Sequence, residues 1–213
     1  MFNIKKVFSI LETTHQLTML EILKDYTPFQ QLVATLLSAR TKDSRLIPIV
    51  KDLFKDYPSP RDLAKINIYE LEKRLFQVGF YRVKSSNVKK LSKIILEKYD
   101  LKNQGKIPDN LNELISLPGV GRKTANCILA NAFKIPAIGV DTHVHRISNR
   151  LGWVKTNTPE ETELSLMKII PKPLWIKVNN LLVNHGQRIC NPINPKCGEC
   201  KIRKYCQYGN SLD

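Results

Sequence analysis

Apolar residues recur at spacings of three and four along almost the whole chain, and no run of apolar/polar alternation is long enough for a sheet strand. Between Lys84 and Tyr99, Val88, Leu91, Ile94 and Ile95 share one face, with lysines elsewhere. Ala125, Ile128, Leu129, Ala132 and Phe133 make a second stripe of the same period. Thr158-Pro159-Glu160-Glu161 predicts a helix start. There Thr158 caps, Pro159 takes the first helical position, and Glu161 completes a capping box. Pro171 and Pro173 stop that helix, while Pro28, Pro58, Pro60, Gly79, Gly105, Pro108, Pro136 and Gly152 punctuate the others. The expected fold class is all-α, built from roughly ten short helices. Internal repeats and low-complexity segments are absent from the sequence.

The hydrophobic content of 42% is enough for a buried core, so disorder is excluded. The charge is one-sided. Lys and Arg number 34 against 19 Asp and Glu, a net +15 that points to nucleic acid or an anionic membrane surface. The longest uncharged stretch, Tyr26–Ala39, has only 14 residues. That is short of the roughly 18–20 needed to span a bilayer. Lys5 and Lys6 precede just five largely apolar residues before Glu12, which is no secretory signal peptide. The expectation is an intracellular protein, cytoplasmic or nucleoid-associated, that faces nucleic acid and no membrane.

Four of the five cysteines crowd the C-terminal end: Cys190, Cys197, Cys200 and Cys206. An intracellular chain of this length has little need of disulfides, so four thiols within 17 residues read as a metal site. Thiolate tetrads suit zinc or an iron–sulfur cluster, and spacing alone leaves zinc slightly ahead. Cys127 stands apart in an apolar run and is expected to be an inert buried thiol.

The segment from Leu114 to Ala125 predicts one helix ending near Ser116, a tight turn, and a second helix at once. Gly119 and Gly121 let the backbone turn sharply and expose its N–H groups at a helix N-terminus, where an anion is favoured. In so basic a chain the anion is a DNA phosphate, gripped without reading sequence. An ordinary helix–turn–helix corner is the competing explanation.

The stretch LPGVGRKTA resembles the helix–hairpin–helix motif of the endonuclease III family of DNA glycosylases, with Val140-Asp141-Thr142-His143 at the family's spacing. The resemblance runs from Thr27-Pro28-Phe29 and Leu36–Ala39, through Gly79-Phe80-Tyr81 and Lys84, to the last cysteine. It implies two helical lobes with a DNA cleft between them. Residues 25–135 would form a helical barrel carrying the hairpin motif at about 114–133. Residues 1–24 and 136–213 would form the cluster lobe, with its loop at 190–206. It also turns the cysteine reading towards a [4Fe–4S] cluster.

The resemblance makes Lys123 and Asp141 catalytic. It brings Leu117, Gly119, Val120, Gly121, Arg122, His143 and Arg146 to the DNA, and puts Arg40 and Phe80 at the positions that fill the vacated stack. Arg40 departs from the glutamine common there. Lys201, Arg203 and Lys204 give the cysteine loop a basic face for phosphate, within a net +3 between the ligands.

The chemistry supports this independently. An amine attacking the sugar C1′ displaces a base and leaves an imine that can cleave the strand by β-elimination. A free lysine, pKa about 10.4, is about 0.1% neutral at pH 7.4; lowering it to about 8 raises that share to roughly 20%. Lys123 stands in the first turn of its helix beside Arg122, and both the dipole and the like charge act in that direction. A phosphate-contacting lysine is the plainer alternative. Asp141 precedes a helix over Thr142–Leu151 closed by Gly152, so it is an N-cap whose carboxylate could also stabilise positive charge on the sugar. Val144, Ile147 and Leu151 face inward there, while His143, Arg146 and Arg150 share another face.

The expected activity is removal of oxidised pyrimidines from duplex DNA and nicking of the abasic site, by a monomer acting on damaged or abasic DNA. Two alternatives remain open: a mismatch glycosylase of the same fold without strand cleavage, and a non-catalytic iron–sulfur DNA-binding protein.

Overall fold

Short polar caps start six of the thirteen α-helices among the described residues, three of them followed by proline, and the apolar stripes decide which faces the helices bury. A computed structural model describes residues 3–99 and 106–212; Gly105, expected to punctuate a turn, lies outside them. Among the described residues there is no strand. The helices are α1 (Ile4–Glu12), α2 (Met19–Ile22), α3 (Pro28–Ser38), α4 (Asp43–Asp56), α5 (Pro60–Lys65), α6 (Ile68–Arg74) and α7 (Tyr81–Lys98). They continue as α8 (Leu111–Ile115), α9 (Arg122–Asn131), α10 (Thr142–Arg150), α11 (Pro159–Ile169), α12 (Trp175–Arg188) and α13 (Gln207–Asn210). Short 3₁₀ turns occupy Lys172–Leu174, Cys197–Glu199 and Arg203–Tyr205. None of the described helices is long and apolar enough to cross a membrane.

The chain divides into two compact units, Met19–Lys134 and Met1–Thr18 with Ile135–Asp213. The sequence reading placed residues 19–24 with the terminal segments; the structure groups them with the central unit. Met19, Leu20 and Leu23 are buried, and the Gln31 amide donates to Tyr26 O (2.9 Å) and Lys24 O (3.4 Å).

In the central unit α3 is buried on every side from Phe29 to Leu37, as a core helix must be. Its start is fixed locally. Thr27 Oγ1 accepts from Gln30 N while Gln30 Oε1 accepts from Thr27 N, with Pro28 at the first position. Ser59 and Asp62 repeat the device at α5. Val88, Leu91 and Ile95 of α7 are fully buried, as their spacing predicts.

The other unit closes around α1. Val7, Phe8 and Leu11 pack with Val144, Ile147, Leu166, Val178, Leu182 and Ile202, and the Phe8 and Trp153 rings lie 5.9 Å apart. Thr158 caps α11 through Glu161 N (3.2 Å), but the expected reciprocal bond is absent. The Glu161 carboxylate accepts from Asn157 N (2.9 Å) instead, one residue further out.

Candidate active site

Lys123 and Asp141 belong to different units, and each is positioned within its own. In the central unit α8 is capped by Asn110 and ends at Ser116, after which Leu117 N and Val120 N close the turn on Leu114 O and Leu117 O. The two glycines do different jobs. Gly119 has φ +77°, and a Cβ there would lie 2.7 Å from Asn87 Nδ2, so the turn and the approach of α7 both require glycine. Gly121 is extended and a Cβ would meet nothing within 4 Å; it serves as an N-cap that leaves α9 without a side-chain cap. That end is the one suited to a phosphate.

Leu117 and Val120 are 3% and 5% exposed. Their side chains root the hairpin in the core rather than reach outward. Arg122 is exposed and Lys123 half-buried, in the first turn of α9.

Sequence reasoning missed Asp43, at the first position of α4. Burial pushes its carboxyl pKa up, while the Met19 backbone N–H and the Lys123 ammonium pull it down. Lys123 therefore has a carboxylate counter-charge within its own unit. No motif marked Asp43 out from other acidic helix starts.

Arg40 and Phe80 are both exposed, and the Arg40 guanidinium lies 5.3 Å from the Phe80 ring centroid. Beside them Lys42, Arg45, Phe76 and Gln77 line an open basic recess.

In the other unit Asp141 caps α10, its Oδ1 accepting from His143 N and Val144 N at 2.9 Å each. Both bonds use one oxygen, which fixes the direction of the other. His143 is half-buried and packed against Gly186, where a Cβ would fall 2.6 Å from its Nδ1.

The face shared by His143, Arg146 and Arg150 is committed inward more than the sequence suggested. Arg146 Nη2 donates to Cys190 O (2.7 Å) and Gly186 O (3.3 Å) and lies 3.1 Å from His143 Nδ1. Burial pushes its pKa below the usual guanidinium range. Arg150 donates to Asn191 O (2.7 Å), Pro192 O (2.9 Å) and Cys190 Sγ (3.3 Å) and stacks 4.6 Å over Tyr208. The two arginines anchor the start of the cysteine loop, because its irregular backbone leaves carbonyls that need donors.

All four cysteines line one recess, together with Arg150, His185 and Ile202. Gly209 N donates to Cys206 Sγ (3.3 Å), and His185 Nε2 lies 3.8 Å from Cys200 Sγ. Burial pushes the Cys200 and Cys206 thiols up. Lys201 and Lys204 are exposed on the loop, whereas Arg203 is half-buried and donates to Gly209 O (3.2 Å). Cys127 is fully buried on α9, in no disulfide.

The family model described as HhH-GPD superfamily base excision DNA repair protein matches residues 33–172. Endonuclease III of Thermotoga maritima is 49% identical over 185 residues, covering 87% of this chain and 85% of that protein. The solved structure of a trapped endonuclease III–DNA covalent intermediate, an estranged-adenine complex, aligns with a TM-score of 0.83. It is 34% identical and covers 100% of this chain and 99% of that one. A thermostable thymine-DNA glycosylase shares the fold, with a TM-score of 0.83 at 23% identity over 97% and 94% of the two chains. With its hairpin, its lysine and its four terminal cysteines in this common framework, the chain belongs to the endonuclease III family of base excision DNA repair proteins.

Proposed function

We propose that this DNA glycosylase and abasic-site lyase removes oxidised pyrimidines from duplex DNA through Lys123. The observation that carries the reading is the placement of Lys123. It is a half-buried amine in the first turn of a helix whose uncapped start is shaped for a phosphate. The trapped covalent complex of its relative supports an enzyme-bound intermediate. In the reaction the neutral amine attacks C1′, forming a C–N bond as the glycosidic bond breaks and the base leaves with its electron pair and a proton. The sugar ring then opens: the C1′–O4′ bond breaks, O4′ takes a proton, and the nitrogen lone pair completes an iminium that acidifies C2′; loss of that proton expels the 3′ phosphate, and water then releases the lysine. The Asp141 carboxylate, aimed by its cap, stabilises positive charge on the sugar and accepts protons. Asp43 holds a second carboxylate in the field of Lys123.

The hairpin and the loop cations Lys201 and Lys204 bind the backbone of DNA carrying a damaged base or an abasic site. Phe80 and Arg40 take the space a flipped base vacates.

Cys190, Cys197, Cys200 and Cys206 would hold the [4Fe–4S] cluster expected from the family. The donor set fits: four sulfurs around one recess, two of them receiving N–H donors. When bound, such a cluster supplies a rigid tie among thiolates.

The deciding experiment is borohydride trapping on a duplex carrying thymine glycol. A covalent adduct is expected with the wild-type chain and none with Lys123→Gln. An adduct that survives the substitution would remove Lys123 from the chemistry.

A further inference from the structure

Two turns of the central unit hold each other in conformations that side chains rarely adopt. Arg40, between α3 and α4, has φ +56°, and Phe80, between α6 and α7, has φ +59°. Neither is glycine, so each turn carries strain that persists only where its surroundings over-determine it. Part of that constraint is mutual. Gly79 N donates to Thr41 Oγ1 (3.1 Å), and a Cβ on Gly79 would lie 2.8 Å from Arg40 O. The outcome is a cation and a 61% exposed aromatic ring side by side at the surface.

The rest of the constraint comes from beneath. Lys84 lies one turn into α7, yet it is only 7% exposed. Its Nζ donates to Leu37 O (2.8 Å) and Ala39 O, the final carbonyls of α3 and the peptide immediately before Arg40. A cation there meets the negative end of the helix dipole and satisfies carbonyls that α3 leaves without partners. Burying an ammonium against neutral acceptors is nonetheless costly, and burial brings its pKa down to about 8. A methionine would fill the same volume without that cost, but it could not hold the turn.

We propose that Lys84 is a positioning residue: it sets the Arg40 turn against Phe80, and so enables the pair to hold open the gap left by an extruded base. It touches no DNA itself. The inference rests on the glycosylase reading above, and it assigns Lys84 to base extrusion rather than to bond breaking.

The test compares wild type with Lys84→Met in single-turnover removal of thymine glycol from two duplexes. One holds the lesion paired and stacked, the other in an unpaired bulge where extrusion costs little. A loss of about 10-fold or more is expected on the paired lesion and less than about 3-fold in the bulge. A loss equal on both would mean a general structural defect and would overturn the proposal. So would an unchanged rate on the paired lesion.

Thr41→Val, which removes only the acceptor of Gly79 N, guards against misfolding and should give a smaller loss with the same bias. In an Arg40→Ala background Lys84→Met should add little, because the group it positions is gone; full additivity overturns the proposal. A 2-aminopurine beside an uncleavable abasic analogue reads the gap without chemistry. Its fluorescence should rise with wild type and rise less with Lys84→Met. Wild type that brightens the probe but removes no base defeats the glycosylase reading alone.

Discussion

In the hairpin, Leu117 and Val120 sit in the core and Gly119 is pressed against Asn87, so its shape follows from apolar burial and one permissive φ. The cysteine loop is built the other way. Of residues 190–206 only Ile202 is buried, the secondary structure is two short 3₁₀ turns, and the backbone is tethered by Arg146 and Arg150 of α10. The first presents backbone N–H groups on a surface that the core maintains unaided. The second presents lysine side chains on a surface that lacks a core and must be closed by ligation. A basic chain thus reaches phosphate by two devices that should fail under different insults.

The largest effect separates chemistry from both. Lys123→Gln should lower nicking and trapping by about 10⁴-fold or more while binding to damaged duplex survives. A variant nicking near the wild-type rate would leave only a DNA-binding protein. Asp141→Asn keeps the cap and should cost about 10²- to 10³-fold in turnover.

Next comes dependence on ligation. A bound iron–sulfur cluster should colour the protein yellow-brown; Cys200→Ser should lose that colour and destabilise the unit of Met1–Thr18 with Ile135–Asp213, by several kcal/mol, whereas Cys127→Ser should keep it. Iron analysis and visible absorbance check this, and a colourless protein with one zinc per chain would refute the cluster.

The hairpin should instead be broken by one methyl group. Gly119→Ala forces a side chain to φ +77° and into Asn87, for about 2 kcal/mol and a clear loss of DNA affinity. Gly121→Ala should cost at most about 1 kcal/mol in a denaturant titration. Equal costs would mean that the turn does not depend on the left-handed residue. Removing Lys201 and Lys204 together should lower the log–log salt slope of binding by about 1.8, with the fold intact. An unchanged slope would make that face merely solvated.

A separate effect, independent of DNA, is a pH dependence of stability from Lys84. Its folded pKa, about 8, lies below the ordinary 10.5, so across that window the unfolded chain holds a proton that the folded chain has released. Wild-type stability should therefore rise with pH from about 8 to 10.5 relative to Lys84→Met, by up to about 3 kcal/mol. A flat difference would show the ammonium to be well solvated.

Helix positions and the hairpin were legible because local rules govern them. Thr158-Pro159 starts α11 and Gly152 (φ +74°) ends α10 as the sequence says. Tertiary demands were less visible. The helical reading places the lysines of α7 off its apolar face, although Lys84 stands four residues before Val88 and seven before Leu91, in the buried stripe itself. The register was there to see; charge argued against it. Arg146 and Arg150 share a face with His143 in the sequence, but sequence cannot show that an irregular loop nearby needs their donors. Asp43 gave no signal, since its meaning depends on Lys123, eighty residues away along the chain.

The tie of α1 to the last part of the chain has a consequence for the order of folding. Thr14 O accepts from Arg188, Gln16 bonds Asn184 in both directions, and Glu12 pairs with Lys177 at 2.7 Å. On a ribosome α1 emerges well before these partners, which follow some 160 residues later. The segment Met19–Lys134 can complete its contacts during synthesis, whereas Ile4, Val7, Phe8 and Leu11 stay exposed until Val178, Leu182 and Ile202 have been made. Closing so long a loop is slow, so the unit built from both ends should dock late and limit the folding rate. During that interval the nascent chain carries the four-residue apolar stripe of α1 without its core, a segment open to aggregation before the protein has matured.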